Sequence, residues 1–256
     1  MKGALVAALL AISMGGAGQE ERAAKDRAPS LPIPLLEQRI HDLINTERIQ
    51  SQLPPLKLNE RLSKIARDHS QDMASRRFFD HVNPDGQTSV ERVAIAHREL
   101  IGTVDENIWM ESGFDPSRER RLAETIVEKL LASPTHRGNL LKPDSTHLAI
   151  GVVSDGSDIS MTQLVARIEG FTSAPVPETV KRGESLTFAV KALVPGAACS
   201  QFDLWSPQVG RRVLDSLPLS GARIDAVPGV YRVRFYCAEG AGRPVIYSGP
   251  RLEVRN

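Results

Sequence analysis

The hydrophobic pattern of this sequence changes its period near residue 180, and this change limits the folds that the chain can adopt. Before it, apolar residues recur at the spacing of an amphipathic helix, first at Leu36, Ile40, Leu43 and Ile44. After it, they alternate with polar residues as in a half-buried strand, at Leu186, Phe188, Val190 and Ala192 and again at Tyr231, Val233, Phe235 and Cys237. The pattern predicts an α+β domain over residues 35–169 and an all-β, Ig-like sandwich over residues 181–256. Residues 170–180, which contain prolines, are predicted to link the two domains.

The first 18 residues have the layout of a signal peptide. Lys2 precedes an apolar run from Ala4 to Met14, and small residues follow up to Gly18. The run is too short to span a bilayer, and no later segment is predicted to do so. We therefore expect an exported protein, periplasmic or extracellular, in which residues 19–34 form a tether. A disordered apolar tail is the alternative for the first 18 residues. The net charge of +1 predicts no nucleic-acid partner.

The chain contains two cysteines, Cys199 and Cys237, both in its C-terminal third. In an oxidising compartment, two cysteines within one small domain are expected to form a disulfide. The pattern does not show which face of its strand Cys199 occupies, so two buried thiols remain the alternative.

Start and stop signals predict the helices of the first domain. The first helix begins near Pro34 and ends by Ser51, Asn59 caps the second, and Thr88 and Glu91 form a capping box for the third. We expect this third helix to bury Val93, Ala94 and Ile101, and a short strand to start near Asn107. A fourth helix is predicted to open at Asp115-Pro116 and to end before Pro134.

Some polar residues in these helices have predicted structural roles. His69 lies on the apolar face of the second helix with Leu62, Ile65, Ala66 and Met73, so we expect a buried histidine that is hydrogen-bonded to backbone or a neighbour. Asn45 and Arg48 lie off the apolar face of the first helix and are predicted to hold a loop through hydrogen bonds.

Three residues are candidates for chemistry, and all six histidines lie between His41 and His147. His81 lies in a loop before the turn Asn83-Pro84-Asp85-Gly86, Glu106 lies at the start of a strand, and His136 lies in the first turn of a helix that Ser133 caps. Two imidazoles and a carboxylate would form a catalytic-type zinc site with an open position. The alternatives are a polar first-turn residue for His136 and a surface carboxylate for Glu106.

A series of motifs in this order and spacing resembles the CAP superfamily, also called SCP/TAPS or PR-1-like, in its compact bacterial branch. The motifs are Leu43-Ile44-Asn45-x-x-Arg48, Pro55-Leu56-x-Leu58-Asn59-x-x-Leu62, Ala66-x-x-His69-Ser70-x-Asp72-Met73, Phe79-x-His81, Glu106-Asn107-Ile108, Ser133-Pro134-x-His136-Arg137-x-Asn139-Leu140-Leu141, Gly151-Val152 and Thr162-Gln163. The resemblance covers about residues 36–168. It implies an α-β-α sandwich around a three-stranded antiparallel sheet, and a cleft that contains His81, Glu106 and His136.

The sequence departs from the family pattern at several positions. Ser133 stands where animal and plant members have a second cleft glutamate, and Leu130 replaces a usual tryptophan. Asp105 replaces a small residue, and Leu164 follows Thr162-Gln163 where an aromatic residue is common. Glu128 is the alternative source of a second carboxylate, although it is expected on the solvent face of its helix.

The resemblance implies a cleft that takes a divalent metal, and partners among sterols, fatty acids and extracellular proteins. We expect a binding module whose metal, zinc, is held by His81, Glu106 and His136. A metal-dependent hydrolase of peptides or cell-wall material is one alternative, since a metal can activate water. A structural or adhesion protein is another, with a docking patch around Trp205 if that residue is not in the core, where we expect it.

Overall fold

The computed structural model describes residues 32–113, 121–155, 158–239 and 242–256. The predicted signal peptide and most of the predicted tether lie outside the described residues, as does the proposed helix start at Asp115-Pro116. Within the described ranges, none of the helices has the length and apolar character needed to cross a membrane.

The described residues up to Leu140 contain five α-helices. They are α1 (Ile33–Gln50), α2 (Glu60–Arg76), α3 (Ser89–Ala96), α4 (Leu122–Ala132) and α5 (Pro134–Leu140). The predicted caps form at α2, where the Asn59 side chain accepts from the Leu62 N–H, and at α3, where Thr88 and Glu91 make a full capping box. Ser133 occupies the N-cap position of α5 but makes no side-chain capping bond, so that detail of the prediction is wrong. The rigid ring of Pro134 in the first turn favours this helix start instead.

The first sheet contains β1 (Lys57–Leu58), β2 (Leu100–Glu111), β3 (His147–Ser154) and β4 (Ile159–Thr172) in the order β1-β3-β4-β2. The three long strands are antiparallel, and β1 joins in parallel. The prediction for β2 is corrected, because this strand begins at Leu100 rather than near Asn107. Ile101 is therefore a buried strand residue and not a helical one, since it pairs with Gly170 of β4.

Helices cover both faces of this sheet. Helices α1, α4 and α5 bury their apolar side chains against one face, and α2 and α3 bury theirs against the other. A side chain at Gly151 of β3 would place its Cβ 2.0 Å from the backbone nitrogen of Arg67, so the absence of a side chain there allows α2 to lie directly on the strand. The N-terminal half is thus a mixed α/β layer structure.

The C-terminal part is rich in β-strands: β5 (Thr179–Lys181), β6 (Ser185–Leu186), β7 (Val190–Ala192), β8 (Ala197–Ser206), β9 (Arg211–Pro218), β10 (Ala222–Arg223), β11 (Gly229–Glu239) and β12 (Val245–Arg255). Five of them form a sheet in the order β5-β12-β11-β8-β9, and β6 pairs with β10. The predicted alternation along β11 is confirmed, because Tyr231, Val233, Phe235 and Cys237 are all buried.

The predicted single strand over residues 186–192 is corrected to two strands in different sheets. β6 pairs with β10, whereas β7 pairs with the end of β4 in the first sheet. Between them the Phe188 N–H donates to the Leu219 carbonyl, and its ring packs edge-on against Phe202 and Phe235. The chain changes sheets here because Phe188 is held in the C-terminal core while Val190 continues toward β4.

Cys199 and Cys237 form the predicted disulfide and are opposite partners on β8 and β11. The bond closes a sequence separation of 38 residues, which corresponds to a stabilisation of about 4 kcal/mol on the chain-entropy account. The expectation for Trp205 is corrected. Its ring is only half-buried on β8 and lies under the Arg234 guanidinium, 5.6 Å away, outside the apolar core cluster.

Candidate functional site

His81 lies in the loop between α2 and α3, and short-range contacts define the course of that loop. Helix α2 ends where Arg77 adopts the left-handed backbone conformation, with φ of 55°. The His69 Nε2–H on α2 donates to the carbonyl of Asp80, at 3.1 Å. After His81 the predicted turn closes with a 2.8 Å bond from the Gly86 N–H to the Asn83 carbonyl. The loop is therefore held on both sides of His81.

His69 has the structural role that its apolar neighbours indicated. It is 1% exposed and its ring packs against Phe78, which leaves the helix at the same point. Burial and then the nearby charge of Arg92 lower the pKa of His69, so the ring is neutral at pH 7 and supports the loop from beneath.

The Glu106 carboxylate accepts hydrogen bonds from both His81 and Arg92. This carboxylate projects from β2 and is 9% exposed. Its Oε1 lies 2.9 Å from His81 Nδ1, and its Oε2 lies 2.5 Å from Arg92 Nη2. Because a carboxylate can only accept, His81 Nδ1 carries a proton, and in the neutral form of the ring the lone pair is therefore on Nε2. The His81 side chain is 53% exposed, so that second nitrogen is available to a ligand.

Arg92 is the functional residue that the sequence interpretation missed. Besides Glu106, it donates from Nη1 to the carbonyls of His81 (3.0 Å) and Gln87 (2.7 Å), and it is 9% exposed. One guanidinium therefore neutralises the buried carboxylate and fixes the loop backbone that carries the histidine. No local signal marked it, because Glu106 lies 14 residues further along the chain on a strand.

His136 approaches β2 from the opposite layer, in the first turn of α5. Its carbonyl accepts from Asn107 Nδ2 at 3.3 Å. Asn139, one turn later, donates to the Glu106 carbonyl (3.3 Å) and to Asn107 Oδ1 (2.9 Å). Burial and the nearby charge of His81 lower the pKa of His136, which favours its neutral imidazole at pH 7. The two histidines thus approach the same strand from the two helical layers, close enough for the charge of one to act on the other.

Asn45 and Arg48 support α5 and the neighbouring loop, as predicted. The Asn45 side chain donates to the Leu56 carbonyl and accepts from its N–H, at 3.0 and 2.8 Å. Arg48 donates to the carbonyls of Pro54 (2.9 Å) and Leu140 (2.7 Å). Arg48 is 0% exposed, although a position off the apolar face was expected for it. Burial of this guanidinium is tolerated because it donates hydrogen bonds to carbonyls at the end of α5.

Two further carboxylates that the sequence analysis considered do not contact these three side chains. Glu128 is exposed on α4, and Asp105 pairs with Lys142 at 2.7 Å. Among residues 32–113, 121–155, 158–239 and 242–256, no three His, Cys, Asp or Glu side chains are arranged so that they could hold a metal ion together. In the described part of the chain, the Glu106 carboxylate therefore has His81 and Arg92 as its side-chain partners, and His136 lies on the neighbouring helix start.

The α/β layer domain thus brings a loop histidine and a helix histidine toward its outer strand. The Cysteine-rich secretory protein family (CAP) matches residues 41–165. This part of the chain thus resembles that family, and residues 41–165 are accordingly called the CAP domain.

The relatives share this domain over part of their length. Uncharacterized protein YkwD of Bacillus subtilis is 33% identical over 133 residues, which is 51% of this chain and 47% of YkwD. Uncharacterized membrane protein YlbC of the same species is 31% identical over 116 residues, 45% of this chain and 31% of YlbC. This chain thus spans less than half the length of both curated relatives.

Among solved structures, an extracellular SCP-domain protein of Bacillus anthracis is similar, with 27% identity and a TM-score of 0.45, over 55% of this chain and 45% of that one. An outer surface protein of Borrelia burgdorferi is similar at 19% identity and a TM-score of 0.44, over 54% of this chain and 98% of that one.

Proposed function

We propose that this chain is an exported binding protein whose CAP domain holds a divalent metal ion, zinc, between His81 and His136. The observation that carries the proposal is the 2.9 Å hydrogen bond from His81 Nδ1 to Glu106, combined with a half-exposed His81 ring. A carboxylate on one ring nitrogen orients the other nitrogen for a metal and raises its basicity. The lowered pKa of His136 favours the neutral imidazole that a metal requires.

Glu106 has a different role in this proposal from the ligand role that the sequence predicted. Arg92 and His81 occupy its two oxygens, so Glu106 orients the His81 ring and the two imidazoles are the protein ligands. Imidazole nitrogen suits zinc, and two protein ligands leave positions for an oxygen of a bound partner. Bound zinc would act there as a Lewis acid that fixes such an oxygen.

The same contacts favour binding over hydrolysis. A metal-dependent hydrolase needs a group that takes a proton from the attacking water. Glu106, the carboxylate beside the two histidines, is engaged by Arg92, and Ser133 stands where a second glutamate would be expected. We therefore keep hydrolysis of a peptide or cell-wall substrate as the weaker alternative.

A lipid or sterol is the second candidate ligand, and a cavity supports it. This cavity of about 480 Å³ is lined in part by the apolar side chains of Met73, Phe78, Phe79 and Met110. Phe79 is 52% exposed and precedes His81 by two residues. Export of the protein is supported by the disulfide, which suits an oxidising compartment. We also propose that residues 181–256 form an Ig-like sandwich that serves as a spacer or docking domain.

Zinc titration by calorimetry of the tag-free chain without residues 1–18 tests the metal proposal. One zinc ion per chain should bind the unchanged protein, and both His81→Ala and His136→Ala should abolish binding. His147→Gln is the matched control, because His147 lies on β3 and hydrogen-bonds Thr146 rather than Glu106. Absence of zinc binding, or binding that survives both alanine substitutions, would overturn the proposal. Mass spectrometry of lipid extracted from the purified protein tests the second candidate.

A further inference from the structure

The C-terminal β-rich part contacts the helix that carries Arg92, and this contact gives that part of the chain a role. Helix α3 lies between the Glu106 site and strand β12. Arg92 faces Glu106 and the His81 loop, whereas Glu91, its neighbour in the sequence, faces the C-terminal strands. We infer that the β-rich domain braces α3 and thereby holds Arg92 in place over Glu106 and His81.

The beginning of α3 is held by two arginines from the C-terminal sheet. Glu91 Oε1 accepts from Arg232 Nη2 on β11 at 3.3 Å, and it also accepts from Arg251 Nη2 on β12. The other oxygen of Glu91 closes the capping box with the Thr88 N–H. Burial raises the pKa of Glu91, whereas the bond from the Thr88 N–H and the two arginines lower it. The net effect is a pKa below the usual value, so the side chain is ionised at neutral pH. One carboxylate thus connects the helix start to both strands.

The chain just beyond α3 is held by a third arginine. Arg98 donates from Nε to the Val176 carbonyl, and from Nη2 to the carbonyls of Pro177 and Arg251, each at 2.7 Å. Two of these acceptors belong to the segment between the domains, and the third belongs to β12. Val176 is 1% exposed, so this segment is packed against the protein rather than free.

The polar contacts at the two ends of α3 are important because the apolar packing of this helix against β2 and β12 is incomplete. A cavity of about 270 Å³ remains between α3, β2 and β12, lined in part by Val93, Ala94 and Ile246. Helix α3 has only eight residues, and a helix of that length depends on tertiary contacts for its stability. The arginine contacts at its two ends therefore contribute much of what orients it.

The β-rich domain is itself firmly attached to the CAP domain. Strand β7 pairs with the end of β4, so that it extends the first sheet. The Tyr247 hydroxyl donates to the buried Glu169 carboxylate at 3.1 Å, and Ile101 of β2 lies within the C-terminal apolar cluster. A firmly attached domain can transmit its position to α3.

Amide hydrogen exchange by NMR tests this inference, and it does not depend on zinc. In the double variant Arg98→Ala/Arg251→Ala, the Arg92 and His97 amides, which bond to Thr88 and Val93 within α3, should exchange at least about tenfold faster. The Arg92 guanidinium protons should also lose their protection. The Ser63 amide at the start of α2 should keep its rate. When Arg251 is replaced by Lys instead of Ala (Arg251→Lys), a cation remains for Glu91, and most of the amide protection in α3 should return.

Arg255→Ala is the matched control, since the exposed side chain of Arg255, on the same strand, pairs with Glu253 and, in the described part of the chain, not with α3. It should leave α3 unchanged. The inference is overturned if α3 keeps its protection in the double variant, or if α2 and β8 lose protection by the same factor as α3. If the double variant does not fold, Arg251→Ala alone provides the same comparison, because its side chain is 57% exposed. Failure of zinc binding would leave this result unaffected.

Discussion

Glu106 in the CAP domain and Asp203 in the β-rich domain are both buried carboxylates that pair with arginine, yet their surroundings differ. Asp203 is 0% exposed, and Arg234 donates to both of its oxygens, at 2.8 and 2.5 Å. The Tyr236 hydroxyl donates to it at 2.6 Å, and Arg212 lies 3.5 Å away. Glu106 has one arginine, and its other oxygen bonds to a histidine that is half exposed.

This difference distinguishes a structural ion pair, at Asp203, from a candidate ligand-binding site, at Glu106. A buried charge must be neutralised and hydrogen-bonded to be tolerated, and both carboxylates meet that requirement. Among the described residues, the side chains that bond to Asp203 or lie beside it come from neighbouring strands of the same sheet. Glu106 instead connects its buried arginine to a ring with a free nitrogen at the protein surface, which is the arrangement that can take up a ligand.

The largest expected effect is a loss of stability at Asp203, the structural member of the comparison. Asp203→Ala should lower the free energy of unfolding by about 3 kcal/mol, because Arg234 is left partly buried without its counter-ion. Urea unfolding measures this loss. Asp225→Ala removes the acceptor of an exposed pair with Arg223 and should cost less than about 1 kcal/mol. Equal losses in the two variants would show that burial does not distinguish these pairs.

A smaller effect, on ligand affinity, is expected at Glu106. Glu106→Gln removes the charge that orients His81, so zinc affinity should fall by about 10–100-fold, as is typical for outer partners of metal-binding histidines. Calorimetry on folded protein measures the change. Asp225→Ala is again the control and should bind zinc like the unchanged chain. If Glu106→Gln bound zinc as tightly as the unchanged protein, Glu106 would be as structural as Asp203.

The smallest expected effect is a pH dependence confined to the CAP domain. Burial is the largest cause that lowers the pKa of His69 and of His97 in the folded state. Below about pH 6.5 the unfolded chain therefore binds more protons, so stability is fully present above that pH and falls as the pH drops toward the folded values. All six histidines lie between residues 41 and 147, so the β-rich domain should not share this trend.

Urea unfolding at pH 7.5 and pH 5.5 measures the loss, and amide exchange assigns it to a domain. His69→Gln should reduce the difference between the two pH values. An equal loss in β8 and β11 would contradict the assignment to the CAP domain, as would an unchanged difference in the variant.

Much of the CAP domain could be predicted because its signals are local or ordered along the chain. The caps at Asn59 and Thr88 mark helix starts, and the order of motifs marks His81, Glu106 and His136 as neighbours. Arg92 could not be found in this way, since neither a cap nor a periodic pattern indicates which strand residue an arginine will meet.

The β-rich part was less predictable because alternation identifies strands but not their partners. The alternating run from Leu186 to Ala192 looks like one strand, although packing of Phe188 divides it between two sheets. Trp205 alternates with buried neighbours on β8, yet Arg234 holds its ring on the outer face of the sheet.

The sequence by itself determined the change from helical to two-residue periodicity, the helix starts and the paired cysteines, and its order of motifs predicted His81, Glu106 and His136 as site residues. These features depend on neighbouring residues or on a family-wide order of motifs. Only the tertiary structure decided that Arg92 pairs with Glu106, that His81 bonds to the other oxygen of Glu106, and that α3 is held by Arg98 and Arg251. Such contacts join residues far apart in the chain, and their energies depend on burial and geometry that exist only after folding.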